Sequence, residues 1–140
     1  MPAAPADIVR RLIEEGFNEG NLAVADELIS PAMVEHQNFG PDHAPGAEGV
    51  KAVIASLRKA FSDFHLAIED LAADGDTVWL RMSGTGTNDG SFMGHAPTGR
   101  RMRTDVFDAL RVDGGRIVEH WGVPDRLGTL FQLGLARPPA

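Results

Sequence analysis

Apolar residues recur with a helical period over the first part of the chain and with a strand period over the rest. Ile8, Val9, Leu12, Ile13 and Phe17 fall on one helical stripe. Asp7 is placed to cap that helix and Gly20 to end it. Asn21 can cap a second, short helix carrying Leu22, Ala25, Leu28 and Ile29, which Ser30 and Pro31 break. Residues 33–37 read as a short strand, and 38–46 as a loop containing Gly40, Pro41, Pro45 and Gly46. A third helix carries Val50, Val53, Ile54, Leu57 and Phe61 on one side. The period then shortens. Residues 65–73 alternate around Leu66, Ile68 and Leu71, and Asp74, Gly75 and Asp76 make a turn. Strands follow over 77–85 and 102–112, with a turn at 88–90 between them. Asp113, Gly114 and Gly115 turn the chain back into a strand over 117–122. Pro124 and Asp125 open a C-terminal helix with Leu127, Leu130 and Phe131 apolar, ended by Gly134. Helices followed by hairpin-linked strands predict an α+β fold. Its curved antiparallel sheet has helices packed on one face, forming a cone around an apolar pocket.

Composition narrows the chemistry. A chain of 140 residues is expected to form one domain over 1–140, large enough to bury a core without disulfide or metal staples. The net charge of −7 provides no bulk basic field, so neither nucleic acid nor an anionic membrane is an expected partner. With no cysteine, thiol nucleophiles, disulfides and thiolate metal sites are excluded. With no tyrosine, a Tyr acid or Tyr oxyanion donor is excluded as well. The first residues carry no basic flank or apolar core, and no apolar run approaches a bilayer span. The expected location is the cytoplasm.

The strand around Asp108 carries the clearest candidate chemistry. Alternation puts Val106, Asp108, Leu110 and Val112 on one face, and Asp105, Phe107, Ala109 and Arg111 on the other. A carboxylate among apolar neighbours, if unpartnered, suits a general acid or base. On sequence alone Asp108 is equally a solvent-facing or satisfied structural carboxylate. On the next strand Val118, His120 and Gly122 share a face opposite Ile117, Glu119 and Trp121. The tight turn between the strands can bring His120 and Asp108 together, and a carboxylate that orients an imidazole fixes its tautomer. His36 and His43 lie near Glu35, Asp42 and Glu48, but the spacing fits no standard metal motif, so no metal is expected. Gly84, Gly86 and Gly90 lack the spacing and the following helix of a phosphate loop. Arg100, Arg101 and Arg103 read as a solvated strand edge more readily than as an anion site.

Four stretches together resemble a known family: IVRRLIEEGFNEGN, GAEGVKAVIASLRKAF, FMGHAPTGRRM and RVDGGRIVEHWGVPDRLGTLFQLG. They are similar to the SnoaL-like polyketide cyclases of the nuclear transport factor 2-like superfamily. The resemblance spans residues 8–134. It implies a homodimer, no cofactor, and a deep apolar pocket for a small hydrophobic substrate. It also implies ring closure of an aromatic polyketide ester by an intramolecular aldol step, begun by a carboxylate that removes a proton alpha to a carbonyl. The family's histidine falls on His120, but its acid/base aspartate falls on Gly122. A further pocket histidine of the family falls on Asp108, and a polar neighbour on Val106. Asp125, in a matching Pro-Asp pair, reads as a helix cap. Asp108 and His120 are therefore the candidates for proton transfer. Phe17, His36, Val53, Trp79, His95, Val106 and Gly122 are candidates for the pocket lining. A shape-driven, pericyclic cyclase without a base, or a non-catalytic small-ligand-binding module, stays open. Ketosteroid isomerases need a Tyr that is absent here. Limonene-type epoxide hydrolases need one too, although Asp108 with Arg81 or Arg103 imitates part of their site.

Overall fold

A computed structural model describes residues 3–139. Its first helix, α1 (Pro5–Arg11), starts ahead of the expected Asp7 cap. Pro5 occupies the first turn, where a missing N–H leaves no bond unmade, and Asp7 lies inside that turn. The chain then widens into a π-helical segment, π1 (Leu12–Asn18), which continues the same apolar stripe. Arg58 closes its end, donating from Nη1 to the carbonyls of Phe17 and Asn18, both at 2.9 Å. Helix α2 (Leu22–Leu28) passes directly into strand β1 (Ile29–Glu35), so Pro31 lies within a strand and does not merely break a helix. Helix α3 (Gly46–Ala60) crosses the sheet next. Strands β2 (His65–Asp74), β3 (Thr77–Thr87), β4 (Arg101–Asp113) and β5 (Arg116–Pro124) follow, then helix α4 (Arg126–Leu133). Pro124 thus ends a strand. Asp125 caps α4, its Oδ1 accepting from the Gly128 N–H at 3.0 Å.

The five strands form one sheet in the order β1-β5-β4-β3-β2. The β2–β5 pairs are antiparallel as expected, but β1 runs parallel to β5, so the sheet is mixed. A hairpin could not produce that pair; α3 and the whole meander intervene. As β1 is an edge strand, Pro31 removes no bond from the interior of the sheet. The other edge, β2, is tied down by Asn18. Its amide donates to the Leu66 carbonyl at 2.9 Å and accepts from the Leu66 N–H at 2.7 Å, standing in for a neighbouring strand. Because β4 is central, Arg101 and Arg103 sit at one end of an interior strand rather than on an edge.

One irregularity corrects the expected faces of β5. Val112 pairs with Ile117, whereas Arg111 pairs with Glu119, so Val118 is an extra residue. A bulge of this kind resets the alternation. Ile117 therefore points inward, fully buried, on the same side as His120. The helices cover that inner face, with Phe61, Ile54, Met82 and Leu133 at 0–1% exposure between the layers. At Gly86 a Cβ would stand 2.8 Å from the Cβ of Phe61, so the bare backbone makes room for that ring.

Candidate active site

Three adjacent strands each deliver one ionisable side chain to the same point on the inner face. Glu35 on β1 is the register partner of His120 on β5. Asp108 on β4 faces Gly122, two residues along from His120. His120 Nδ1 lies 2.5 Å from Glu35 Oε2, and His120 Nε2 lies 3.2 Å from Asp108 Oδ2. The three side chains are only 12–14% exposed. Sequence alternation thus brought Asp108 and His120 to one face of neighbouring strands, as expected. The premise of an unpartnered Asp108 is not met for Oδ2, which His120 holds.

Only an imidazolium can donate from both nitrogens at once, and both here face carboxylates. Burial alone would push the His120 pKa down. The bonds to Asp108 and Glu35 outweigh burial and push it up to about 9. The ring is therefore charged at neutral pH and has no free nitrogen to offer a substrate. Asp108 Oδ1 is buried and has no hydrogen-bond partner among the described residues. Glu35 Oε2 also accepts from the Gln37 N–H at 3.1 Å, which fixes the carboxylate behind the ring.

This cluster stands in the wall of a cavity between sheet and helices, ≈ 940 Å³ including the solvent-open space at its mouth. Phe17 of π1, Val53 of α3 and Val106 of β4 line it, as expected. Gly122 borders the cluster: a Cβ built on it would lie 2.8 Å from Asp108 Oδ1 and close against the Gln37 amide. Gly122 itself is not in the cavity lining, and three further expected lining residues lie elsewhere. Trp79 alternates with the inward Val78 and Leu80 and is 57% exposed on the outer face. His36 alternates with the inward Glu35, bonds Glu119 Oε2 at 2.7 Å and stacks on Trp121 at 4.6 Å. His95 lies in the exposed loop between β3 and β4, where Phe92 is the residue that turns inward. The remaining acidic and histidine residues near β1 are dispersed: His43 stacks on Phe39, and Glu48 pairs with Lys51.

The sequence reading did not single out Gln37 or Arg126, and it considered Glu35 only as a metal ligand. A signal for the first strand was present. Met33, Glu35 and Gln37 alternate onto one face, repeating the apolar-then-polar pattern of Val106 and Asp108. Arg126 lies outside any such pattern because it starts a helix.

Comparison with known proteins agrees with the fold. A family model described as SnoaL-like polyketide cyclase matches residues 7–133. Aklanonic acid methyl ester cyclase DnrD from Streptomyces peucetius is 32% identical over 133 residues, which cover 91% of this chain and 89% of the relative. Nogalonic acid methyl ester cyclase from Streptomyces nogalater is 27% identical over 120 residues, covering 84% and 89%. Among solved structures, TsrD from Streptomyces laurentii superposes with a TM-score of 0.84 at 27% identity, covering 94% of this chain and 95% of that one. IdmH from Streptomyces antibioticus superposes with a TM-score of 0.81 at 36% identity, covering 94% and 99%.

Proposed function

The chain belongs to the SnoaL-like polyketide cyclase family, and from that premise we propose that it closes a ring in a hydrophobic polyketide ester by an intramolecular aldol step, with Asp108 as the base. The carrying observation is the division of labour within one carboxylate. Oδ2 is held by the His120 imidazolium, and Oδ1 is buried and unpartnered among the described residues, on a side chain that lines the cavity. Oδ1 removes a proton from a carbon flanked by carbonyls. The resulting enolate carbon attacks a ketone carbonyl of the same molecule, a C–C bond forms, and the carbonyl oxygen takes the proton back. Proton transfer alone balances the step, so it calls for no cofactor. The Gln37 side chain lines the same cavity and lies beside Asp108 at Gly122, with its amide oxygen toward that point. The apolar walls hold the chain folded and exclude water.

The resemblance puts the family's acid/base aspartate at position 122. Asp108 and Gly122 are direct cross-strand partners, and any side chain at 122 would meet Asp108 Oδ1. The carboxylate therefore reaches the same space from the neighbouring strand. His120 positions Asp108, and Glu35 positions His120.

The outer face of the sheet supports a homodimer. Trp79 and Phe107 are each 57% exposed and Val123 is 70% exposed on adjacent strands, a patch that a second copy would cover.

The test is turnover of aklanonic acid methyl ester, the compound named in the DnrD relative, followed by chromatography and mass spectrometry. Ring closure yields an isomer of unchanged mass, formed faster than in a protein-free control. Saturable binding of that ester with no isomer above the control would contradict this reading and favour a binding module.

A further inference from the structure

Arg126 stands in the wall of the same cavity with no acidic partner among the described residues. It is the first residue of α4, just beyond Pro124, and Pro124 pairs with Val106 on the strand that carries Asp108. Its side chain is half-buried and makes no ion pair or side-chain hydrogen bond among the described residues. Its guanidinium carbon lies 5.4 Å from the centre of the Phe92 ring. Burial lowers its pKa, and no carboxylate opposes that effect. A guanidinium removed from water usually meets a carboxylate, phosphate or several carbonyls. An aromatic face offsets only part of that loss and satisfies none of the five N–H donors.

We propose that Arg126 is an anion subsite of the cavity. It would bind a carboxylate or ionised phenol of the aromatic substrate, at a position separated along the wall from the carbon that Asp108 deprotonates. Val106 is two residues from Asp108 and pairs with Pro124, two residues before Arg126, and all three side chains line one cavity that a planar polyketide would occupy. The assignment rests on the cavity being a polyketide site, but its recognition chemistry is independent of catalysis. Arg126 offsets repulsion of an anion: the chain carries a net charge of −7, and Glu35 and Asp108 in the same cavity outnumber the one His120 imidazolium. A cation there also orients the substrate, because only one end of an asymmetric polyketide carries an ionised oxygen.

Inert ligands separate this proposal from turnover. Anthraquinone-2-carboxylate, 2-hydroxyanthraquinone and methyl anthraquinone-2-carboxylate have no carbon acid for Asp108 to attack. Affinities are measured by fluorescence quenching for the wild type, Arg126→Met and Arg126→Lys. The wild type is expected to bind the carboxylate about 10-fold or more tighter than the ester, consistent with a charged hydrogen bond. Arg126→Met should abolish that preference and leave ester binding within about 3-fold. Arg126→Lys should keep part of it. Bound hydroxyanthraquinone should show the absorption of its ionised form at a lower pH than in solution, which distinguishes phenol from carboxylate recognition. A wild type that prefers the ester or does not discriminate would overturn the subsite, as would a Met variant that loses both ligands equally. The wild-type comparison decides the question even if a variant fails to fold. Absence of cyclase turnover alongside an intact carboxylate preference would count against the aldol reading and leave Arg126 standing.

Discussion

His120 holds a proton between two carboxylates, and that gives the protein a pH signature. The imidazole has an ordinary value of 6.5 when free and about 9 in the fold. A group whose pKa rises on folding stabilises fully below its unfolded value and loses that effect as pH climbs through the folded one. The contribution should therefore be complete below about pH 6.5 and gone above about pH 9. Its size is about 3 kcal/mol by linkage, since the ring is almost wholly buried. Urea unfolding across that range should show falling stability, and Glu35→Gln should shrink the fall, because it replaces one of the two charged acceptors that raise the pKa with a neutral one. A flat profile in the wild type would contradict the charged ring. Alternation alone made the Asp108–His120 pair legible. It also placed Trp79 and His36 outside, once their inward neighbours Leu80 and Glu35 are counted. They were expected inside because aromatic and imidazole groups suit a pocket, and that preference is weaker than the geometry of the strand.

At the scale of elements, the junction of β4 and β5 is shaped around an absent side chain. A Cβ at position 122 would lie 2.8 Å from Asp108 Oδ1 and 2.9 Å from His120 Cε1. Gly122→Asp should thus lose stability by crowding, about 1–3 kcal/mol, and set two carboxylates against each other. Adding Asp108→His should relieve both effects and recover turnover, because each side chain then occupies the other's place. Thermal melts and turnover of the single and double variants measure this coupling, and strict additivity would exclude the exchange. Most elements were readable from their periods, and both ends of α4 from Asp125 and Gly134. Three features were not. The Val118 bulge leaves no local mark and turns Ile117 inward. The parallel β1–β5 pair joins segments more than 80 residues apart, as in Glu35 with His120. The π1 segment continues the same stripe as α1, so the pattern does not mark where the helix widens.

At the scale of the whole molecule, the sheet has one face that lines the cavity and one that is apolar yet open to water. Phe107 lies between Arg81 and Val123 near the centre of that outer face. Light scattering should give twice the 15.0 kDa chain mass for the wild type. Phe107→Asp should give the single-chain mass with the inner site still folded, because this side chain points away from Asp108. A monomeric wild type would remove the dimer. In the proposed mechanism, catalysis by either form depends on one oxygen atom, Asp108 Oδ1. The deciding comparison is single-turnover ring closure by the wild type and Asp108→Asn at equal, saturating enzyme. Asparagine keeps the shape and a contact to His120 but cannot take a proton. The variant should bind substrate and close the ring ~10²–10⁴-fold more slowly. A folded Asp108→Asn protein that closes the ring at the wild-type rate would contradict the assignment of Asp108 as the base.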